Sequence, residues 1–188
     1  MPIEELVRPW RGRVLRHIPG TSPFGPLETR FAARSRENRW NREGEPALSF
    51  ASDRAVLIGE FARHFERDRA PELAGLVQTR RVFELDLELS RVFDLTDSHS
   101  CAQLGIAEAP SSFLDRTVAR ATAAFLRDVI AVEAILVPSV VFPDRPEHRN
   151  LVLFLDRLET SLADCVHRIE PAGSFQLVPS LPHTEPVG

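Results

Sequence analysis

Residues 39–60 read RWNREGEPALSFASDRAVLIGE, and this stretch decides how the chain is organised. It begins with a loop that carries Arg39, passes through a Gly-Glu-Pro turn and continues as a short apolar strand, Ala47 to Ala51. Asp53 then stands where a helix N-cap belongs, and the helix that follows carries Glu60 on its second turn. A permanent cation and a carboxylate are thereby placed on neighbouring elements of one strand-to-helix unit. A substrate that has phosphate groups and develops positive charge needs this pairing.

The bulk composition fits one α+β domain of ordinary size. The chain has 188 residues, of which 43% are hydrophobic, enough for a single core. We expect this domain to cover residues 1–170, followed by a Pro-rich C-terminal tail over 171–188. The net charge of -4 argues against a broad nucleic-acid surface. The first residues lack the apolar core of a signal peptide and no run is long enough for a bilayer, which predicts a cytoplasmic protein without membrane contact.

The side-chain inventory restricts the kinds of site that the chain can build. Cys101 and Cys165 are far apart and lack His or Cys neighbours at metal spacing, so we expect two small buried hydrophobes, no disulfide and no metal. All 23 basic residues are Arg, and the chain contains no Lys and no Tyr. Any anion site must therefore use Arg, His or backbone N–H groups.

Alternation of apolar and polar residues with periods of 2 and 3.6 predicts a mixture of strands and helices. The strands are expected at Trp10–Ile18, Ala47–Ala51, Arg81–Leu89, Val92–Leu95 (a short strand or a turn), Ala131–Val141, Asn150–Asp156 and Leu162–Pro171 (a last strand or an extended segment). The helices are expected at 53–66, in a short segment through Leu104 capped by Thr96 or Ser98, and at 113–129 with a buried stripe of Leu114, Val118, Ala121, Phe125 and Leu126. We find no dinucleotide-binding, Walker, GxSxG or HExxH motif.

Glu60 is the first candidate for a functional side chain. It shares a helical stripe with Val56 and His64, so it is flanked by residues that face the core. A carboxylate there must be paired, hydrogen-bonded or exposed to a cleft, because its burial alone is costly. The alternative is a surface pair with His64 or Arg63.

Two further candidates lie at the ends of strands. Ser139 follows Pro138, which breaks a buried strand, so its hydroxyl either faces a cleft or stabilises a turn. Arg16 lies at the end of the first strand, before a long Arg-rich connection over residues 20–38. It is either a solvated strand-end cation or part of the site.

Three motifs resemble the RES-domain family, which is named for an Arg, a Glu and a Ser. They are the RWNREGEPALSFA stretch, Glu60 with the ARHF that follows it, and LVPS followed by NLVLFLD. The resemblance covers roughly Arg13 to Asp156. It implies an ADP-ribosyltransferase-like fold of compact twisted β-sheets with flanking helices. It also implies destruction of NAD by phosphorolysis or hydrolysis, or in some members transfer of ADP-ribose to a protein.

The resemblance assigns roles to individual residues. The family's early Arg best matches Arg16, with Arg11 as the competing assignment; the other named positions match Arg39, Glu60 and Ser139. Glu60 would stabilise the oxocarbenium-like cation that forms when the nicotinamide–ribose bond breaks. Arg39 and Arg16 would clamp the pyrophosphate, and Ser139 would bind the ribose or the nicotinamide amide.

The NAD-contacting set implied by the resemblance is Arg39, Trp40, Asn41, Ser49 and Phe50. One departure stands out: many members have Tyr where this chain has Ser49. Phe50 or Trp40 would have to supply the aromatic contact, although Trp40 can equally be a core residue. A catalytically weakened protein-interaction module is therefore an alternative to an active enzyme.

The resemblance also implies partners. NAD would be the substrate, with inorganic phosphate as a co-substrate and no prosthetic group. A helical antitoxin with a DNA-binding domain would insert a C-terminal segment into the cleft near Arg39. This chain itself shows no DNA-reading motif, so no direct contact with nucleic acid is expected.

Overall fold

The computed structural model describes residues 2–34, 38–67, 76–106 and 108–178, with the backbone alone for 64–67. Its strands are β1 (Arg8–Pro19), β2 (Ala47–Ala51), β3 (Gln78–Asp94), β4 (Ala134–Pro138), β5 (Arg149–Phe154) and β6 (Val166–Leu177). Its α-helices are α1 (Arg54–Arg67), α2 (Ser98–Gln103) and α3 (Arg116–Asp128), and short 3-10 helices span Ile3–Leu6 and Ser111–Leu114. The architecture is the predicted single α+β domain.

The longest strand, β3, includes two segments that the sequence pattern predicts as separate elements, Arg81–Leu89 and the segment that begins at Val92. Its 17 residues pass through a bulge at Ser90 and Arg91, where the register against β1 shifts. The backbone N–H groups of Ser90 and Arg91 donate to the buried carboxylate of Glu133 at 2.7 and 3.1 Å. Glu133 thus accepts the hydrogen bonds of the two bulge N–H groups, so the strand continues where the alternation of its side chains is interrupted.

The sheet closes on itself. Its strand order is β1-β2-β5-β4-β3-β6, and β1 also pairs with β3 from Arg8 to Pro19, so that five strands form a ring. One apolar cluster fills the ring, and β1, β2 and β3 contribute Val14, Phe50 and Leu87 to it. Two other clusters lie on the outer face, one under α3 and one under α1. The outer face between these helices is where the candidate site lies.

The helix α3 differs from its prediction in both its start and its buried side. It begins at Arg116 after Asp115, whose side chain accepts from the backbone N–H of Thr117. Of the predicted stripe, Leu126 is buried and Val118 packs against the core, whereas Leu114 and Phe125 are exposed. Ala119 and Ala123, which were not predicted, complete the buried side. Ala119, Ala123 and Leu126 all pack in the cluster of buried residues under α3, so the buried side of the helix is rotated from the predicted one towards the alanines.

The remaining boundaries differ by a few residues. Asp97, and neither Thr96 nor Ser98, caps α2. Pro138 ends β4, as its missing N–H predicts. The last strand continues beyond Pro171 to Leu177, into the region expected to be tail, and residues 179–188 lie outside the described residues.

Candidate active site

Asp53 fixes the start of α1, as predicted. Its Oδ1 accepts hydrogen bonds from the backbone N–H groups of Ala55 at 2.8 Å and Val56 at 3.0 Å. Burial acts to raise the pKa of Asp53, but the hydrogen bonds from Val56, His148 and Ser52 outweigh it and the pKa is lowered. An ionised cap thus holds the helix that carries Glu60.

The carboxylate of Glu60 is held by three donors that converge on one oxygen. Oε1 accepts from the Ser139 hydroxyl at 2.8 Å, the Val140 backbone N–H at 3.1 Å and the Asn150 amide at 3.2 Å. Within the part of the chain that the structure describes, Oε2 accepts no hydrogen bond. Glu60 is half-buried and Ser139 is fully buried. The arrangement fixes one oxygen and leaves the other for a ligand.

Gly59 allows α1 to lie against the loop that supplies two of these donors. A Cβ at position 59 would stand 2.9 Å from Cγ1 of Val141, closer than real contacts allow. From the next turn of α1, Arg63 donates to the Val140 carbonyl at 2.8 Å. The Ser139 hydroxyl also accepts from the Val141 N–H at 3.2 Å, so both of its hydrogen-bonding roles are occupied within the protein. Ser139 therefore positions Glu60.

Beside the Glu60 cluster, the outer face of the sheet is exposed at Ser49. Ser49 lies opposite Val152 in the register of β2 and β5, and Asn150 is the next residue of β5 on the same face. Ser49 is exposed, although Ala47, Ala51 and Val152 around it are buried. Diagonal neighbours in an antiparallel pair have Cα atoms about 7–8 Å apart. Ser49 is therefore a diagonal neighbour of Asn150, whose amide binds Glu60.

The loop that carries Arg39 is fixed to the elements around α3. The Arg39 guanidinium donates to the carbonyls of Phe113 at 2.7 Å and Leu114 at 2.8 Å. Trp40 is buried, with its ring 5.2 Å from that of Phe113. Asn41 is also buried, and its amide donates to the Glu45 carbonyl at 2.9 Å. Trp40 and Asn41 thus shape the loop, while Arg39 lies at its junction with the 3-10 helix Ser111–Leu114.

Arg16 lies on the other side of the sheet. Its guanidinium stands 5.6 Å from the ring centre of Phe50, which is buried inside the ring of strands. Burial lowers the pKa of Arg16 to about 10, against an opposing effect of Glu28. Its Nη1 is buried and has no hydrogen-bond partner among the described residues. The competing Arg11 is exposed on the outer face of β1, 3.7 Å from Glu88.

A cavity lies at the end of the ring of strands, near the start of β5. Its volume is about 210 Å³, and it is lined by the ten residues Trp10, Arg11, Gly12, Arg13, Val14, Ser52, Leu136, Glu147, Arg149 and Leu151.

No group of three His, Cys, Asp or Glu side chains that could hold a metal occurs among the described residues. No described helix is long and apolar enough to cross a membrane.

A model of the RES domain matches residues 8–177, from the start of β1 to the end of β6. The chain belongs to the RES-domain family. A search of curated proteins finds no match to this RES domain. Among solved structures, a chain in the crystal structure of the MbcT–MbcA toxin–antitoxin complex of M. tuberculosis matches with a TM-score of 0.57 and 16% sequence identity. The match covers 94% of this chain and 90% of that chain, so the two share a fold.

The four residues that the RES resemblance assigns to the site are only partly brought together here. Ser139 and Glu60 are in direct contact. Arg39 lies on the α3 side of the same outer face, whereas Arg16 points into the ring beside Phe50. Phe50 and Ser49 are consecutive strand residues with opposite directions, so Phe50 does not fill the space of a larger side chain at Ser49.

Two of the groups that bind Glu60 in this RES domain are not predicted from the sequence. Asn150 reads as a structural residue at the start of a strand, yet its amide binds Glu60. The Val140 N–H is a backbone group and leaves no trace in side-chain patterns. The one available signal is that the LVPS and NLVLFLD segments flank a single loop, which brings Ser139 and Asn150 to the same end of neighbouring strands.

Proposed function

We propose that this RES domain is an NAD-degrading enzyme of the toxin type, which cleaves the nicotinamide–ribose bond with phosphate or water as acceptor in the cytoplasm. The observation that carries the proposal is the Glu60 carboxylate, which three donors orient through Oε1 and whose Oε2 accepts no hydrogen bond from the described residues. Family membership over residues 8–177 supports the same reading. The acceptor is part of the proposal and is open to direct measurement.

The chemistry follows from the charge that develops when the bond breaks. Loss of neutral nicotinamide leaves positive charge on the ribose, and a preorganised carboxylate beside the anomeric carbon lowers the barrier. Three hydrogen bonds fix the Glu60 oxygen before substrate arrives, so little reorganisation is needed in the transition state. Because nicotinamide leaves without protonation, a second acidic group is not required for this step.

Arg39 is our candidate for the pyrophosphate. Its position between the loop and the carbonyls of Phe113 and Leu114 sets it at the edge of the face that holds Ser49 and Glu60. A guanidinium keeps its charge under all working conditions and binds phosphate oxygens in pairs. NAD would then extend from Arg39 across Ser49 to Glu60.

The test is NAD consumption by the purified protein and by Glu60→Gln, a variant of nearly the same shape without the charge. We expect turnover by the wild type and a loss of about 10³-fold in kcat for the variant, the size typical of removing a major electrostatic contribution. Glu88→Gln is the matched control, because Glu88 is exposed on β3 and pairs with Arg11. Equal turnover by wild type and Glu60→Gln contradicts the proposal.

A second candidate, ADP-ribose transfer to a protein, is favoured by the exposed Ser49. A small side chain at this position leaves room beside Glu60 for the side chain of an acceptor protein. Labelled NAD distinguishes the two functions: transfer yields a labelled protein, whereas degradation yields only free ADP-ribose or its 1-phosphate. If NAD binds without either product, the catalytically weakened interaction module becomes the better interpretation.

We also propose an antitoxin partner. The similar M. tuberculosis structure is a toxin–antitoxin complex, which supports a protein that covers the cleft near Arg39. We propose further that the partner is helical and carries a DNA-binding domain. Co-expression with the product of the neighbouring gene is expected to give a stable complex with suppressed NAD turnover. Failure to form any complex contradicts this part of the proposal.

A further inference from the structure

A second polar cluster, Ser52, Asp53 and His148, adjoins the Glu60 site. Nδ1 of His148 lies 2.8 Å from Oδ2 of Asp53. The same oxygen accepts from the Ser52 hydroxyl at 2.9 Å, while Oδ1 is occupied by the backbone N–H groups at the start of α1. Asp53 is thus fully engaged and cannot turn away from the imidazole.

The hydrogen bonds determine which member of this cluster is available for chemistry. Ser52 donates to Asp53 and accepts from the Arg149 N–H at 3.1 Å, so its hydroxyl is not activated by His148 and is not a nucleophile. An ionised carboxylate at Nδ1 favours the tautomer with its proton on Nδ1 and a lone pair on Nε2. Nε2 of His148 has no hydrogen-bond partner within the described ranges. The cluster therefore presents an oriented base.

The fold places this base beside Glu60. Beyond the last β4–β5 pair, Pro138 and Arg149, the Ser139 N–H donates to the His148 carbonyl at 3.0 Å, so Ser139 and His148 lie opposite each other. Because side chains alternate along a strand, His148 shares the outer face with Asn150. Ser139 bonds to Glu60 on one side and pairs with His148 on the other.

The surroundings keep the His148 ring accessible but fixed. Its side chain is 20% exposed, and its ring centre lies 4.6 Å from that of Phe142 at an interplanar angle of 33°. Ser139 is hydrogen-bonded to Glu60 through its hydroxyl and to His148 through its backbone N–H, so the carboxylate and the imidazole lie at the same end of the sheet. In inverting glycosidases, the general acid and the base that activates water are two carboxyl groups about 6.5–9.5 Å apart, and the space between them holds that water.

We propose that the Asp53–His148 pair is the general base that activates water as acceptor, and that it determines the share of hydrolysis in NAD turnover. This inference rests on the proposed function. The bond from the anomeric carbon to nicotinamide breaks with its electron pair on the departing nitrogen. A water oxygen forms the new bond to that carbon, its proton passes to Nε2 of His148 and then to solvent, and free ADP-ribose results.

The two possible acceptors, water and phosphate, differ in whether they need a base to remove a proton. Water must lose a proton to become part of the product, whereas the phosphate dianion attacks through an oxygen that carries none. His148→Gln should therefore lower hydrolysis by about 10²-fold or more, the usual contribution of a general base, and leave phosphorolysis nearly unchanged. Asp53→Asn keeps a good helix cap but removes the carboxylate that selects the tautomer, and should have the same selective effect.

The experiment measures free ADP-ribose and its 1-phosphate from NAD over a range of phosphate concentrations for wild type and the two variants. Thermal unfolding of each variant reports its stability. His167→Gln is the matched control, because Nε2 of His167 forms a similar bond to Glu88 at 2.9 Å on the exposed face of β6. It should leave the product ratio unchanged.

Selective loss of hydrolysis in His148→Gln and Asp53→Asn supports the base role. An unchanged product ratio, an equal fall in both products, or a wild type that uses phosphate alone overturns it while the proposed function stands. Absence of NAD loss with either acceptor overturns the proposed function and this inference together. Azide, a second nucleophile without a proton to lose, should react equally well with wild type and His148→Gln.

Discussion

Replacement of Gly59 by Ala tests whether the close approach of α1 to the 139–141 loop sets the activity of Glu60. The added Cβ would meet Cγ1 and Cγ2 of Val141 at 2.9 and 3.3 Å. Valine has a stiff χ1, so the loop backbone must move with the side chain. Ser139 and Val140, two of the donors to Glu60, lie in that loop.

The effects on stability and on turnover should differ in size. Ala in place of a helical Gly contributes about 0.5–1 kcal/mol, while overpacking costs about 1–3 kcal/mol, so the net destabilisation is between about 0 and 2.5 kcal/mol. A hydrogen bond to a charged group contributes about 1.5–3 kcal/mol. Its loss in the transition state lowers kcat by between about 10- and 100-fold.

The assay is a double-mutant cycle with Val141→Ala, read by both denaturant unfolding and NAD turnover. Val141→Ala removes the two atoms that the new Cβ would meet and should itself lower turnover only slightly. In Gly59→Ala/Val141→Ala, kcat should return to within about threefold of Val141→Ala alone, because the two sites are in contact and couple. Wild-type turnover in Gly59→Ala, or a double variant as slow as Gly59→Ala, would refute the reasoning.

Three further outcomes are expected. Burial and the nearby Arg80 and Arg16 charges lower the pKa of His17 from 6.5 to about 3, so the stability that its neutral form contributes is full above about pH 6.5 and is lost towards pH 3. In His17→Phe, the free energy of unfolding should therefore depend less steeply on pH within this window. An unchanged pH slope would count against this prediction. Burial raises the pKa of Cys101 to about 12 and also raises that of Cys165, so a thiol reagent should modify neither in the native protein and both after denaturation; rapid native labelling would contradict this. Arg39→Lys retains the charge but loses the planar guanidinium that can bind two phosphate oxygens at once, so KM for NAD should rise about tenfold with kcat nearly constant, and an unaltered KM would remove Arg39 from the NAD site.

The sequence predicts what local signals encode. Asp53 as a cap, the short β2 strand and the end of β4 at Pro138 each follow from the preferences of one residue or a few neighbours. The importance of Glu60 follows from a carboxylate on a core-facing stripe, which requires partners. The partners that the structure describes are donors from the 139–141 loop and from β5, and the side chain of His64, an expected alternative partner, lies outside the described residues.

Distant contacts explain what the sequence does not predict. The continuity of β3 depends on Glu133, about 40 residues along the chain from the bulge that it satisfies. Asn150 and His148 carry no motif of their own, and their relation to Glu60 and Asp53 arises only when β5 joins β2 and β4. Arg16 is correctly placed at the end of β1, but its direction depends on strand register, which one residue of slip would reverse.

The donors to Glu60 have a consequence for the order of events during synthesis. They lie 79, 80 and 90 residues after Glu60 in the chain, so none has been made when α1 leaves the ribosome. A nascent or truncated chain that ends before Asn150 has the carboxylate but not its full set of hydrogen bonds. The proposed NAD turnover should therefore begin only when β5, which carries Asn150, has joined the ring.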